Sequence, residues 1–245
     1  MTSADTPLEV ENLRKEFGGL VAVDDLSFEV NSNEILGFIG PNGAGKSTVF
    51  NCIMGVLSPT DGSVYLHSDE ITGQDTHETV NQGLARVSQE SNPFEEMTVE
   101  DNIRIFAVSN SPFAFSSNDD EEVIRSLARR MGLEDELGTL PDSLPHAGRR
   151  RLEIAKALAT EPDILLLDEP FAGMNQAEIR DLSEEIRGFR DEGITLVVVD
   201  HNMRGLMQLV DRVIVLNEGR KLADGTPEEV ADDERVQSAY LAGEV

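Results

Sequence analysis

Nine consecutive residues, Gly40-Pro41-Asn42-Gly43-Ala44-Gly45-Lys46-Ser47-Thr48, carry the sharpest chemical signal in the chain. Gly40, Gly45, Lys46 and Ser47 fall at the spacing of a P-loop. The glycines let backbone N–H groups turn inward, and the N-terminus of a following helix adds its dipole, so the loop is an anion cradle. Lys46 would reach the outer phosphates of a nucleotide, and the Ser47 hydroxyl would sit on Mg²⁺. A second signal ends the apolar run 164–167 in two carboxylates, Asp168 and Glu169. Asp168 suits the Mg²⁺ shell, and Glu169 is placed to orient or deprotonate an attacking water. A strand ending in solvated acids is common in so acidic a chain, and it is the P-loop upstream that gives the pair its weight.

These residues need a scaffold that brings them to one edge. The apolar segments Ile35–Ile39, 164–167 and Thr195–Val199 read as strands buried on both faces, with 213–216 as a fourth. Amphipathic stretches at 47–54, 149–159 and 177–190 lie between them, and this alternation predicts an α/β core around a parallel sheet. The P-loop then follows a strand and opens a helix, the context its pattern requires. Segments 8–13, 21–30 and 63–66, with Gly18-Gly19 and Asp61-Gly62 turns, predict antiparallel strands flanking the core. From Pro93 to Gly148 there is no strand signal. Helical pieces at 99–107 and 121–131, joined by a loose polar stretch at 109–120, predict an inserted helical subdomain. A capped helix is expected from Thr226.

Composition narrows the function classes. The chain has 245 residues, with 47 Asp+Glu against 20 Lys+Arg, a net charge of −27. The acids are spread along the chain, and the bases comprise 16 Arg and only 4 Lys. A pervasive acidic surface with scarce Lys points to solubility in high salt, where screening shortens the reach of self-repulsion; an ordinary acidic cytosolic protein is the alternative. The same charge argues against a nucleic-acid groove. Cys52 is the single cysteine, so there is no disulfide framework, and His67, His77, His146 and His201 lack ligand spacing. No apolar run approaches the ~20 residues needed to cross a bilayer, and residues 1–7 are unlike a signal peptide. The expected location is cytoplasmic, with any membrane role exercised through partners.

The order of P-loop, Gln89, 144–151, Asp168-Glu169-Pro170 and His201 resembles the ABC ATPase family over nearly the whole chain. The resemblance implies an α/β P-loop NTPase (RecA-like) fold, with a parallel-sheet core, an antiparallel β subdomain and an inserted α-helical subdomain. The expected single domain spans 1–245, divided into core (8–92 and 149–225), helical subdomain (93–148) and C-terminal helix (226–245). It implies ATP and Mg²⁺ as cofactors and ATP hydrolysis coupled to transmembrane transport. Gln89 would sense Mg²⁺ and the attacking water, and His201 would be the switch histidine on the γ-phosphate. Phe17 would stack on adenine, with a core role as the alternative. Phe17-Gly18-Gly19, Met97-Thr98-Val99-Glu100-Asp101-Asn102, Arg150-Arg151-Leu152-Glu153, Ala172-Gly173-Met174-Asn175 and Ala239-Tyr240-Leu241 are similar to branched-chain amino-acid transporter ATPase subunits of the larger paralogue type.

One segment departs from the family. Its signature loop Leu-Ser-Gly-Gly-Gln reads here Leu144-Pro145-His146-Ala147-Gly148, so the serine hydroxyl is missing and Pro145 contributes no N–H. The resemblance implies that His146, Ala147 and Gly148 complete a nucleotide site on a second ATPase subunit, in a head-to-tail dimer of homomeric or heteromeric kind. It further implies integral-membrane permease subunits, met through Phe94, Phe106, Phe113 and Phe115, and indirectly a substrate-binding protein. An ABC ATPase serving another cargo, or a soluble non-transport ABC ATPase, is the alternative.

Overall fold

Within each buried strand, alternate side chains face opposite sides, and this divides the interior in two. The computed structural model describes residues 6–108 and 118–242. The chain opens with a hairpin of β1 (Leu8–Phe17) and β2 (Leu20–Val30), closed by Gly18 and Gly19 at φ 53° and 93°. Two consecutive positive φ values match the twist of a tight hairpin. β3 (Ile35–Ile39) runs into the P-loop and α1 (Lys46–Ile53). Then come β4 (Asp61–Leu66), β5 (Asp69–Glu70), α2 (Thr76–Asn81) and β6 (Leu84–Val87). The helical segment holds α3 (Val99–Val108), α4 (Asn118–Arg130) and α5 (His146–Leu158). β7 (Ile164–Asp168), α6 (Gln176–Asp191), β8 (Thr195–Val199), α7 (Met203–Leu209), β9 (Arg212–Asn217) and β10 (Arg220–Gly225) complete the core, followed by α8 (Pro227–Ala231) and α9 (Glu234–Ala242).

A six-stranded sheet ordered β10-β9-β3-β8-β7-β6 is parallel throughout except for β10, and an antiparallel sheet ordered β2-β1-β4-β5 covers one side. Leu36, Phe38, Leu166, Val197 and Ile214 face α1 and the antiparallel sheet, where Phe38 meets Phe28 edge-on at 4.9 Å between ring centres. Ile35, Ile39, Leu165, Leu167, Val198 and Val213 face the opposite way, into a core built with helices α3 to α7. Parallel pairing of β3, β7 and β8 brings their C-terminal ends to one edge, where open α/β sheets gather ligand groups.

The structure adds β5, β6, α2, α7 and β10 to the elements read from the sequence and redraws two helices. β6 was not expected, because Arg86 interrupts its apolar run. α5 begins at His146, so the expected 148/149 boundary falls inside a continuous helix. Pro145 supplies the extended N-cap conformation (φ −62°, ψ 162°) from which the helix starts at once. The single C-terminal helix is two. α8 carries the expected capping box of Thr226 and Glu229, while Asp233 accepts from the Arg235 amide (2.8 Å) and starts α9 afresh. Phe113 and Phe115, and most of the 109–120 stretch, lie outside the described residues.

Candidate active site

At Gly40 and Gly45 the P-loop is shaped by contacts that leave no room for a side chain. A Cβ on Gly45 (φ 105°) would lie 2.6 Å from the Ala22 carbonyl oxygen, and one on Gly40 would collide with the Leu216 carbonyl. The loop is therefore pressed between β2 and β9, with Ala44 buried beneath it. Lys46, at the first position of α1, is 8 % exposed, and its Nζ donates to the carbonyls of Gly40 (2.7 Å) and Pro41 (3.1 Å). Burial lowers its pKa from the ordinary lysine value, opposed by the charges of Glu169 and Asp168. The two carboxylates favour the charged ammonium and so oppose the cost of burying it.

Across the cleft, β7 delivers Asp168 and Glu169. Glu169 adopts φ 53°, a left-handed conformation that a non-glycine residue occupies at a cost, and its N–H donates to the Val199 carbonyl of β8 (2.7 Å). This turn aims its carboxylate between two partners. Gln89 Nε2 donates to one Glu169 oxygen at 2.8 Å, and His201 Nε2 lies 3.0 Å from the other. The three residues expected from sequence to do chemistry therefore meet at one carboxylate. They share a cleft of about 480 Å³ with Asn42, Gly43, Ala44, Gly45, Lys46, Ser47, Thr48 and Asp168.

The donor set suits a hard cation. The Ser47 hydroxyl, the Asp168 carboxylate and the Gln89 amide are oxygen groups on one cleft, the kind Mg²⁺ prefers when phosphates complete its shell. Among the described residues no cluster of three or more His, Cys, Asp or Glu forms a self-contained metal cage.

Other residues expected at the site lie elsewhere. Phe17, 43 % exposed, stands at the tip of the β1–β2 hairpin with Lys15 Nζ 5.0 Å from its ring centre, and it does not line the cleft. His146, Ala147 and Gly148 form the first turn of α5 and do not contribute to this chain's own cleft. The His146 ring packs against Gly173, where an added Cβ would lie 3.0 Å from Cε1.

The sequence reading missed the braces. Arg86 pairs with Asp168 (2.6 Å) and with Asn51 Oδ1 (2.6 Å). Arg150, 3 % exposed, donates to the carbonyls of Ser88, Gln89 and Asp168, tying α5 to the Gln89 segment and to β7. Asp200 is 5 % exposed and accepts from the Phe171 (2.8 Å) and Asn202 (2.6 Å) amides, which fixes the turn preceding His201. Burial raises its pKa above the ordinary carboxylate range. Each brace joins residues far apart in the chain, and a lone Arg or Asp carries no local signal of that.

A P-loop after β3 of a parallel core, facing a carboxylate pair at the end of β7 two strands away, defines an ATPase of the nucleotide-binding cassette class. Residues 23–172 match the family model described as ABC transporter, and residues 220–241 match one described as Branched-chain amino acid ATP-binding cassette transporter. The chain is 37 % identical to the high-affinity branched-chain amino acid transport ATP-binding protein LivG of Salmonella typhimurium, covering 96 % of this chain and 97 % of that protein. It is 35 % identical to the lipopolysaccharide export system ATP-binding protein LptB of Escherichia coli, at 96 % of both. The solved structure of MJ1267, an ATP-binding cassette of an ABC transporter, superposes with a TM-score of 0.88 at 27 % identity, over 96 % of this chain and 98 % of that one. The chain belongs to the ABC transporter ATP-binding family and is an ABC-type ATPase.

Proposed function

We propose that this ATPase powers uptake of branched-chain or related amino acids. The observation that carries the chemistry is the convergence of Gln89 and His201 on Glu169, opposite Lys46 and the P-loop. The cargo reading is supported by the branched-chain family match at 220–241 and by the likeness to LivG.

ATP lies in the cleft with its outer phosphates on the loop amides and on Lys46, whose ammonium exchanges the Gly40 and Pro41 carbonyls for phosphate oxygens. Ser47, Asp168 and Gln89 would hold Mg²⁺, which would neutralise phosphate charge when bound. Glu169 takes the proton of the attacking water. His201, anchored beside it, contacts the γ-phosphate, and Gln89 orients the water. Phe17 is exposed at the tip of a hairpin whose β2 residue Ala22 lines the cleft, and adenine stacks there.

The first turn of α5 completes the site on a second ATPase subunit. Its backbone amides at the N-terminus of a 13-residue helix face an anion supplied by the partner chain. Membrane permease subunits dock on the helical segment around Phe94 and Phe106, whose rings lie 6.4 Å apart with Lys156 Nζ 5.6 and 5.3 Å from their centres. No described helix is long and apolar enough to cross a membrane, in keeping with a peripheral subunit on the cytoplasmic face. The net charge of −27 is read as adaptation to high salt. Reconstitution with branched-chain amino-acid permease subunits and a binding protein tests the cargo. ATP-dependent accumulation of labelled leucine supports the reading, and ATP turnover that no branched-chain amino acid stimulates contradicts it.

A further inference from the structure

Arg86 belongs to two places at once. Its guanidinium is held at the nucleotide cleft by Asp168 and on α1 by Asn51, both at 2.6 Å, and it lies 5.7 Å from the Phe50 ring centre. Yet Arg86 and Asn51 also line a separate, largely apolar groove of about 530 Å³. Met54 and Val80 wall it on the core side, and Phe106 and Lys156 on the helical side. The groove therefore ends on a side chain that grips the carboxylate expected to hold Mg²⁺. The Arg86 and Asp168 side chains are only 16 % and 8 % exposed, so little solvent screens the pair. Arg86 Nε is buried without a hydrogen-bond partner, so the guanidinium is oriented by its two terminal contacts alone.

We propose that Arg86 is a positioning residue that fixes the orientation of Asp168. By engaging Oδ2, Arg86 leaves Oδ1 as the oxygen presented to the cleft. Because Asn51 holds the other terminal nitrogen, the rigid guanidinium plane fixes the direction of its single contact with Asp168, which a point charge on a flexible stem does not.

The test uses the purified full chain and a fluorescent ATP analogue, titrated with and without Mg²⁺. For Arg86→Ala, the Mg²⁺ concentration giving half-maximal nucleotide binding should rise about tenfold, as for loss of a partner that orients a metal ligand. Affinity in EDTA should stay unchanged, and Arg86→Lys should recover only part of the loss. Where Arg86→Ala does not fold, Asn51→Ala removes one contact and should give a smaller shift in the same direction. An unchanged Mg²⁺ dependence, or a loss in EDTA equal to that in Mg²⁺, overturns the positioning role.

Discussion

Two helices in this chain begin where an anion would sit, and they are built in opposite ways. The N-terminus of α1 is enclosed: Gly40 and Gly45 are pressed against the backbones of β9 and β2, and Lys46 is 8 % exposed. The N-terminus of α5 is open: Pro145 and His146 are exposed, and no side chain caps the first turn. The first is braced from within the chain and faces its own carboxylates, so it is a site in itself. The second faces none of the residues of that cleft, and in the reading proposed above it serves a site on another subunit. The difference also sets how each tolerates change. A loop whose backbone contacts exclude any Cβ keeps its glycines, whereas an open helix end can replace Ser-Gly-Gly-Gln with Pro-His-Ala-Gly and remain a helix.

The largest effect should come from repairing the open end. Losing a preorganised donor to a developing phosphate charge costs about 3 kcal/mol, roughly a hundredfold in rate. Placing Ser-Gly-Gly-Gln at 145–148 should therefore accelerate turnover at the site that α5 completes by a similar factor, measured in the assembled complex. The change must be made as a set, since a Cβ at Gly148 would lie 3.3 Å from the Pro145 ring. Unchanged turnover would mean that the loop already works as it stands.

The enclosed end should show itself next. Lys46→Ala removes charged hydrogen bonds worth about 1.5–3 kcal/mol, so ATP affinity should fall about 10–100-fold by calorimetry. Affinity within twofold of the parent would remove Lys46 from phosphate binding. A smaller effect lies at Asp200, which carries the turn before His201. Asp200→Asn leaves one of two backbone donors poorly matched and should cost about 1–3 kcal/mol of stability. The sign of its pH dependence follows from its raised pKa. The folded state holds this proton more tightly than the unfolded chain, so the contribution is fully present below the ordinary value of 3.8 and is lost as pH rises through the raised folded value. Denaturation curves of parent and variant across that window should differ in slope, and parallel curves would contradict this.

The smallest effect is global. Raising KCl from 0.1 M to 1 M shortens the screening length from about 10 Å to about 3 Å. Weakened self-repulsion should raise the melting temperature by a few degrees, about 2–4 °C per kcal/mol gained. A flat or falling curve would leave the net charge of −27 without its proposed role.

The parts legible in sequence are those written in consecutive residues. Ile35–Ile39, 164–167 and Thr195–Val199 announced themselves because strands buried on both faces cannot carry polar residues. The P-loop and the Asp168-Glu169 pair were legible for the same reason. β6 was hidden because Arg86 sits within it, a charge that only Asp168 and Asn51 make tolerable. The start of α5 was hidden because Pro-His-Ala-Gly reads as a loop until Leu144 is seen buried behind it. Arg150 was quoted only for subfamily likeness, although its contacts with Ser88, Gln89 and Asp168 hold two motifs together. Such braces depend on which strand ends become neighbours, and that is a property of the fold.

The account turns on Glu169, the one carboxylate that Gln89 and His201 both reach. Turnover of labelled ATP by the complex carrying Glu169→Gln, alongside nucleotide retained on the protein, tests it most directly. The account predicts that ATP is bound with parental affinity and retained uncleaved in a closed pair of subunits, because the amide keeps the contacts but cannot take a proton from water. Turnover at the parental rate would contradict it, and Glu169 would then be a structural residue of the β7 turn.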